Sequence, residues 1–124
     1  MKKIPIILIC LFLLISCENE KKRILLDELT NKGSEESPLM YFESGLFNGI
    51  TFDIYENSQL KIEGYYNDGK PDGLSKAWYE NGQLQEETNF KDGEQDGLSK
   101  AWYENGQLMI EGAFKNGKKD GLSK

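Results

Sequence analysis

The sequence contains no histidine, three prolines and only two cysteines, and each scarcity excludes a class of structure or chemistry. Without histidine, the chain lacks the commonest metal ligand and the side chain best suited to general-base catalysis near neutral pH. Both cysteines, Cys10 and Cys17, lie near the N-terminus. The rest of the chain can therefore form neither a disulfide framework nor a CxxC metal site. We expect no metal site and no cofactor.

Basic residues are also scarce: 15 Lys and Arg stand against 21 Asp and Glu, for a net charge of −6 at pH 7. Nucleic-acid binding needs cations that displace counterions from phosphates, so this balance argues against DNA or RNA as a partner. It also argues against a basic face for anionic lipid headgroups. The 124 residues leave room for one ordinary domain.

The longest apolar run is too short to cross a membrane. Lys2 and Lys3 precede an apolar stretch over 4–15, whereas a spanning helix needs roughly 20 residues. A basic start followed by a run of this length is typical of a secretory signal peptide. We place that signal peptide at residues 1–16.

The end of this run, Leu14-Ile15-Ser16-Cys17, resembles the lipobox of bacterial lipoproteins. The resemblance implies cleavage before Cys17 and attachment of lipid, including acyl chains such as palmitate, to that residue. Several acyl chains hold a protein firmly in a membrane. Glu18 carries no inner-membrane retention signal of the aspartate type. The expected location is therefore the bacterial cell envelope, lipid-anchored at the outer membrane.

Residues 17–38 are polar and of mixed charge, and such a composition does not bury enough apolar surface to offset the entropy of ordering. We expect the lipidated Cys17 followed by a flexible tether. Within it, the short apolar stripe over 24–29 either forms one or two helical turns against a sheet or remains loose, because it is too short for an independent helix.

The remaining sequence is built from a repeat. The 13 residues of 72–84 recur unchanged as 96–108, and a more divergent copy begins at Asn48. The first residues of the unit appear once more at Asp120, so the last repeat of the sequence is incomplete. We predict an all-β fold over 39–124: an elongated single-layer antiparallel β-meander of 24-residue β-hairpin repeats.

Each unit carries two turn signals. Asn-Gly favours a two-residue type I′ loop because both of its residues need positive φ. We predict this loop at Asn81-Gly82 and Asn105-Gly106, with a poorer version at Asn57-Ser58. The second signal comprises Asp68-Gly69, Asp92-Gly93 and Asn116-Gly117. The glycines predicted to form turns are Gly49, Gly73, Gly82, Gly97, Gly106 and Gly121.

A two-residue loop at Asn81-Gly82 also sets the register of the hairpin. It places Tyr79 opposite Leu84, Trp78 opposite Gln85 and Ala77 opposite Glu86. One face then carries the set Tyr79, Leu84, Thr88 and Phe90, with equivalents Tyr55, Leu60, Ile62 and Tyr66, and Tyr103, Leu108, Ile110 and Phe114. The other, mixed face carries Leu74, Lys76 and Trp78, then Leu98, Lys100 and Trp102, with Ile50, Phe52 and Ile54 in the first copy.

The string Tyr-Glu-Asn-Gly-Gln-Leu, followed by Glu, an aromatic residue, Asp/Asn-Gly and Asp-Gly, resembles the MORN-repeat variant (membrane occupation and recognition nexus). The resemblance covers about 40–124 and implies the same elongated meander. Bacterial proteins with these units include YwqK-type antitoxins, which implies neutralisation of a toxin protein by direct binding. Export conflicts with that role, because the usual toxin targets are cytoplasmic.

Four aromatic residues are the candidates for contacting a partner, because partly exposed aromatic side chains anchor protein interfaces and sugar rings. They are Trp78, Tyr79, Trp102 and Tyr103. The alternative is that they cover the thin sheet against solvent. The carboxylates Glu80, Glu86 and Glu87 do not indicate glycosidase chemistry, because such residues recur with the repeat whereas a catalytic pair is unique.

We therefore expect a non-catalytic, membrane-tethered scaffold that binds a protein or an envelope polymer and has no small-molecule substrate. Toxin neutralisation by direct binding is the alternative.

Overall fold

The computed structural model describes residues 22–121, which form two β-sheets and one short 3-10 helix over Leu26–Glu28. Residues 1–16, predicted to be a signal peptide, and Cys17 lie outside the described residues. The strands are β1 Arg23–Leu25, β2 Thr30–Asn31, β3 Met40–Phe42, β4 Gly45–Leu46, β5 Gly49–Ile54, β6 Leu60–Asn67, β7 Lys70–Trp78, β8 Leu84–Lys91, β9 Glu94–Trp102, β10 Leu108–Lys115 and β11 Lys118–Lys119.

The larger sheet has eight strands in the order β1-β5-β6-β7-β8-β9-β10-β11. From β5 onward each strand pairs antiparallel with the next one along the chain. The hairpins β5–β6, β7–β8 and β9–β10 are the three repeats. The prediction of an all-β antiparallel meander of hairpin repeats is confirmed.

The tight turns between repeats are type I′ turns, a conformation that we predicted for the turns within repeats. Asp68 and Gly69 both have positive φ, at 49° and 76°, and they join the paired residues Asn67 and Lys70. Asp92-Gly93 and Asn116-Gly117 repeat this conformation. Because type I′ turns match the right-handed twist of the flanking strands, they continue the sheet without splaying it.

The turns within repeats differ from the prediction. At Asn81-Gly82 only the glycine has positive φ, at 85°, so a type I′ turn was the wrong expectation. The Gly82 N–H donates to the Tyr79 carbonyl, and the Tyr79 N–H donates to the Gln83 carbonyl. This is the three-residue loop in which a type I turn ends in a glycine bulge. Asn105-Gly106 forms the same loop, and Ser58, with a φ of 68°, takes the glycine conformation in the first repeat.

The longer loop changes the register near the turn. Trp78 pairs with Leu84, and Gln85 is the extra residue of a β-bulge, so the predicted Tyr79–Leu84 and Trp78–Gln85 pairs are wrong. The predicted Ala77–Glu86 pair is confirmed. Leu84 therefore lies on the face of Trp78 and not with Thr88. The other two repeats make the same change with the pairs Ile54–Leu60 and Trp102–Leu108.

The corrected register defines two faces, because paired residues share a face and successive residues alternate. We call the face that carries Trp78 the tryptophan face and the face that carries Thr88 the threonine face. The threonine face is lined near its middle by small residues, of which Thr51 and Thr88 are buried. The Thr88 and Ser99 hydroxyls lie 3.0 Å apart across β8 and β9.

Only some of the predicted glycine turns are turns. Gly82 and Gly106 are, whereas Gly49, Gly73 and Gly97 lie inside β5, β7 and β9, and Gly121 follows β11. Gly73 and Gly97 lie at irregularities of strand pairing with β6 and β8. Their φ values of 117° and 110° suit glycine at a bulge.

The expected flexible tether is wrong for the part that the structure describes. β1 pairs in parallel with β5, and β2, β3 and β4 form a separate three-stranded sheet. A core of Ile24, Met40 and Phe47 joins these strands to the repeats, with Tyr66 packed against it. The 3-10 helix is the only helical turn that this segment forms within 22–38. The physical reason is that its few apolar side chains complete a core with residues distant in sequence.

Candidate binding surface

Trp78 and Trp102 occupy the same position in two successive repeats, at the ends of β7 and β9. They lie two strands apart on the tryptophan face, which corresponds to about 9–10 Å for normal strand spacing. Both are half-buried. Cross-strand pairing with leucines extends them into an apolar row along the sheet. The row consists of Ile54, Leu60, Trp78, Leu84, Trp102 and Leu108.

Beside the apolar row runs a row of alternating charge. Lys76 Nζ lies 3.9 Å from a Glu87 carboxylate oxygen, and Lys100 Nζ lies 3.6 Å from a Glu111 oxygen. These partly exposed pairs contribute little to stability. They balance each other, so the surface next to the tryptophans is neither strongly acidic nor strongly basic despite the acidic chain. The full row is Glu63, Lys76, Glu87, Lys100 and Glu111.

The two candidate tyrosines differ. Tyr79 is half-buried, and its hydroxyl donates a 2.7 Å hydrogen bond to the Trp102 carbonyl of the next repeat. Tyr55 makes the same bond to the Trp78 carbonyl. Tyr103 is 51% exposed, and its hydroxyl finds no acceptor within residues 22–121. Tyr79 thus links successive hairpins, which is the structural alternative considered for these aromatics, whereas Tyr103 is available for contact.

Removing the Tyr79 hydroxyl should destabilise the fold measurably. We expect Tyr79→Phe to lower the free energy of unfolding by about 0.5–1.5 kcal/mol, the usual net value of one hydrogen bond. Tyr103→Phe is the matched control and should change it by less than about 0.5 kcal/mol. Urea denaturation followed by tryptophan fluorescence measures both. Equal effects of the two substitutions would show that the hydrogen bond from Tyr79 to the Trp102 carbonyl does not stabilise the fold.

Three of the repeated carboxylates, Glu86, Glu87 and Glu111, are bound to neighbouring side chains. Glu86 accepts a 3.0 Å hydrogen bond from Thr88 beside it, and Glu87 and Glu111 are paired with lysines. Within residues 22–121 there is no group of three His, Cys, Asp or Glu side chains that could hold a metal ion. Burial raises the pKa of the Tyr66 phenol above its ordinary value, which follows from its packing against the core.

One cleft was not found from the sequence. It has a volume of about 240 Å³ and lies between the segment over 35–38 and the sheet, with Glu35, Tyr66 and Phe90 in its lining. The segment lies outside the repeats, so no periodic signal indicates that it meets them. The two glutamates there, Glu35 and Glu36, are exposed.

Three stretches of the chain match the family model of the MORN repeat variant, at residues 47–68, 71–92 and 95–116. Together they cover more than half of the chain. The protein belongs to the MORN repeat variant family. Each MORN unit covers one hairpin, β5–β6, β7–β8 or β9–β10, except for the first residues of β7 and β9, and ends in an inter-repeat turn. No curated protein matches the chain.

MORN repeats generally form non-catalytic scaffolds, and the MORN units here provide a regular sheet whose tryptophan face repeats with them. Within residues 22–121, no helix has the length and apolar character needed to cross a membrane.

Proposed function

We propose that this protein is a lipid-anchored, non-catalytic scaffold of the bacterial outer membrane that binds a protein or an envelope polymer through its tryptophan face. The observation that carries the binding role is the repetition of a half-buried tryptophan, Trp78 and Trp102, beside an apolar row on one face. Aromatic side chains supply large contact areas with few rotatable bonds, and they dominate the energetics of many interfaces.

The neighbouring charges support a partner that is not strongly charged. Each lysine beside the tryptophans is matched by a glutamate on the adjacent strand, so the face offers hydrogen bonds without a net field. A strongly anionic partner would meet an acidic chain of net charge −6, which disfavours association. A protein surface or a weakly charged polymer fits this face better.

A photo-crosslinking amino acid placed at Trp78 or Trp102 in intact bacteria tests the binding role. We expect both positions to capture the same envelope component. The matched control is Glu86, an exposed residue of the threonine face in the same hairpin. If the Glu86 position captured that component equally well, or if neither tryptophan position captured anything, the proposed face would be wrong.

The anchor is tested separately. The Cys17→Ser chain should leave the membrane fraction, because the acyl chains that hold the protein cannot attach to a hydroxyl in the lipoprotein pathway. Cell fractionation and labelling with radioactive palmitate measure this. A wild-type chain that takes up no palmitate would contradict the anchor but leave the binding face untouched.

Toxin neutralisation remains the second candidate, and the resemblance to YwqK-type antitoxins supports it. It would require a secreted or envelope-acting toxin. A neighbouring toxin gene that cells tolerate only while this chain is produced would favour it over the scaffold role.

A further inference from the structure

The segment and the core that precede the repeats lie against the threonine face. The segment over 35–38 forms a cleft with Phe90, and the core around Phe47 packs against Tyr66. Both aromatic side chains are on the threonine face, because Phe90 is two residues from Thr88 and Tyr66 is two residues from Gly64, which aligns with Thr51. On the opposite face, Trp78 and Trp102 remain half-exposed.

The contacts that the tryptophan face offers recur with every second strand. Residues 72–84 are identical to 96–108, so the same side chains occur in β7–β8 and again in β9–β10. The spacing of equivalent side chains is about 9–10 Å, that of two strands. A ligand that lies along the apolar row therefore meets one tryptophan, one leucine and one lysine in each of these repeats. They are Trp78, Leu84 and Lys76, then Trp102, Leu108 and Lys100.

An extended β-linked glycan has a matching period. Each sugar ring in such a chain is turned over relative to the ring before it, so the same ring face recurs with every second ring, at about the spacing of two strands. The apolar face of a sugar ring stacks on an aromatic side chain. An extended peptide repeats after about 6.4–6.8 Å, the length of two residues, and falls out of step with the tryptophans.

The charges beside the apolar row favour an uncharged polymer. Lys76 Nζ lies 3.9 Å from a Glu87 oxygen, and Lys100 Nζ lies 3.6 Å from a Glu111 oxygen. These side chains can donate hydrogen bonds to sugar hydroxyls and accept hydrogen bonds from them while their charges balance. An anionic glycan would meet a chain of net charge −6, which disfavours association.

We propose that the tryptophan face binds an uncharged β-linked glycan of N-acetylated amino sugars, with alternate rings stacked on Trp78 and Trp102. The ring between them lies over β8, where Leu84 offers an apolar contact to an acetamido methyl group. This inference rests on the proposed function, because it names the occupant of the same face.

Titration with chitin oligosaccharides tests the proposal. The full-length chain is held in a detergent without a sugar headgroup, and tryptophan fluorescence reports binding because the sugar stacks on the reporting side chains. Chitohexaose should bind at least about tenfold more tightly than chitobiose, because the longer chain contacts both tryptophans and its second contact is intramolecular. Maltohexaose, whose α-linked rings coil, is the matched control and should bind at least about tenfold more weakly than chitohexaose.

Two isoleucine variants test whether the tryptophans act as equivalent sites. The repeat accepts isoleucine at this position, because Ile54 pairs with Leu60 as Trp78 pairs with Leu84. Trp78→Ile and Trp102→Ile should each lower the affinity for chitohexaose by about tenfold. Each should lower the affinity for chitobiose only about twofold, since one of two equivalent sites remains.

Glu86→Ala is the control variant, on the threonine face of the same hairpin as Trp78, and it should bind chitohexaose like the wild type. Equal affinities of the wild-type chain for chitobiose and chitohexaose would overturn the proposal, as would equal binding of maltohexaose.

Failure of this proposal is distinguishable from failure of the proposed function. If chitohexaose does not bind but the photo-crosslinker at Trp78 and Trp102 captures a protein, the glycan is rejected and the binding face stands. If neither position captures a component in intact bacteria and chitohexaose does not bind, both proposals are rejected.

Discussion

The Phe47→Ala chain is expected to lose about 3–5 kcal/mol of its free energy of unfolding, the usual cost of removing a buried aromatic ring. Phe47 is 2% exposed, the lowest exposure among the buried hydrophobic residues of 22–121. Its ring lies 6.1 Å from that of Tyr66 and packs with Ile24 and Met40. Truncation leaves a cavity at the point where the two sheets meet.

The loss of stability in Phe47→Ala should be greatest at the end of the molecule that contains β1, β3 and β5. Repeats of a meander contact chiefly their neighbours, so the hairpins β7–β8 and β9–β10 do not depend directly on Phe47. Hydrogen exchange should therefore increase most in β1, β3 and β5. The control is Leu98→Ala, which removes a side chain that is 49% exposed and should cost less than about 1 kcal/mol. Equal losses for both variants in urea denaturation would contradict this role of Phe47.

The core around Phe47 could not be predicted from the sequence, whereas the hairpins could. The hairpins were predictable because the unit recurs and because each turn signal is local, as at Asp92-Gly93. The three-stranded sheet was not, because its strands have two or three residues and no measurable alternation. Only the distant partners of Ile24 and Met40 show that these residues form a core.

The prediction of a type I′ loop at Asn81-Gly82 was wrong for a different reason. Asn-Gly fits a two-residue type I′ loop, but it also fits the end of a type I turn whose glycine forms the bulge. The choice depends on one hydrogen bond, from the Gly82 N–H to the Tyr79 carbonyl. The dipeptide alone does not reveal this bond, and the error moved Leu84 to the wrong face of the sheet.

The candidate surface was predictable in composition but not in detail. Identical sequence around Trp78 and Trp102 requires that both occupy the same place in a repeat. It does not reveal that Tyr79 and Tyr103 differ. That difference comes from their places in the array, since one has a following hairpin and the other has none among the described residues.

Gly69→Ala is expected to lower the free energy of unfolding by about 2–5 kcal/mol. Gly69 has a φ of 76°, a conformation that costs an alanine about 1–2 kcal/mol. A Cβ there would also lie 2.7 Å from the Met40 carbonyl oxygen and 2.9 Å from Leu46 Cδ2. Relieving that overlap adds about 1–3 kcal/mol, as overpacking does in cores.

The turn cannot easily move away to relieve the overlap. The Gly69 N–H donates to the Phe47 carbonyl at 2.8 Å, and the Gly69 carbonyl accepts from the Met40 N–H at 2.7 Å. These two bonds join the first inter-repeat turn to β3 and to the residue that fills the core. Any shift of the turn therefore weakens the same junction that Phe47→Ala disrupts.

Gly93 provides the matched control, because it holds the same turn position one repeat later. Its φ is 88°, but a Cβ there would meet only the Lys70 side chain, at 3.7 Å. Gly93→Ala should therefore show the conformational cost alone. Urea denaturation of both variants isolates the steric contribution as their difference, about 1–3 kcal/mol. If Gly69→Ala and Gly93→Ala lose the same free energy of unfolding, the first inter-repeat turn is not held against the three-stranded sheet. The junction between the two sheets would then depend on Phe47 and not on this turn.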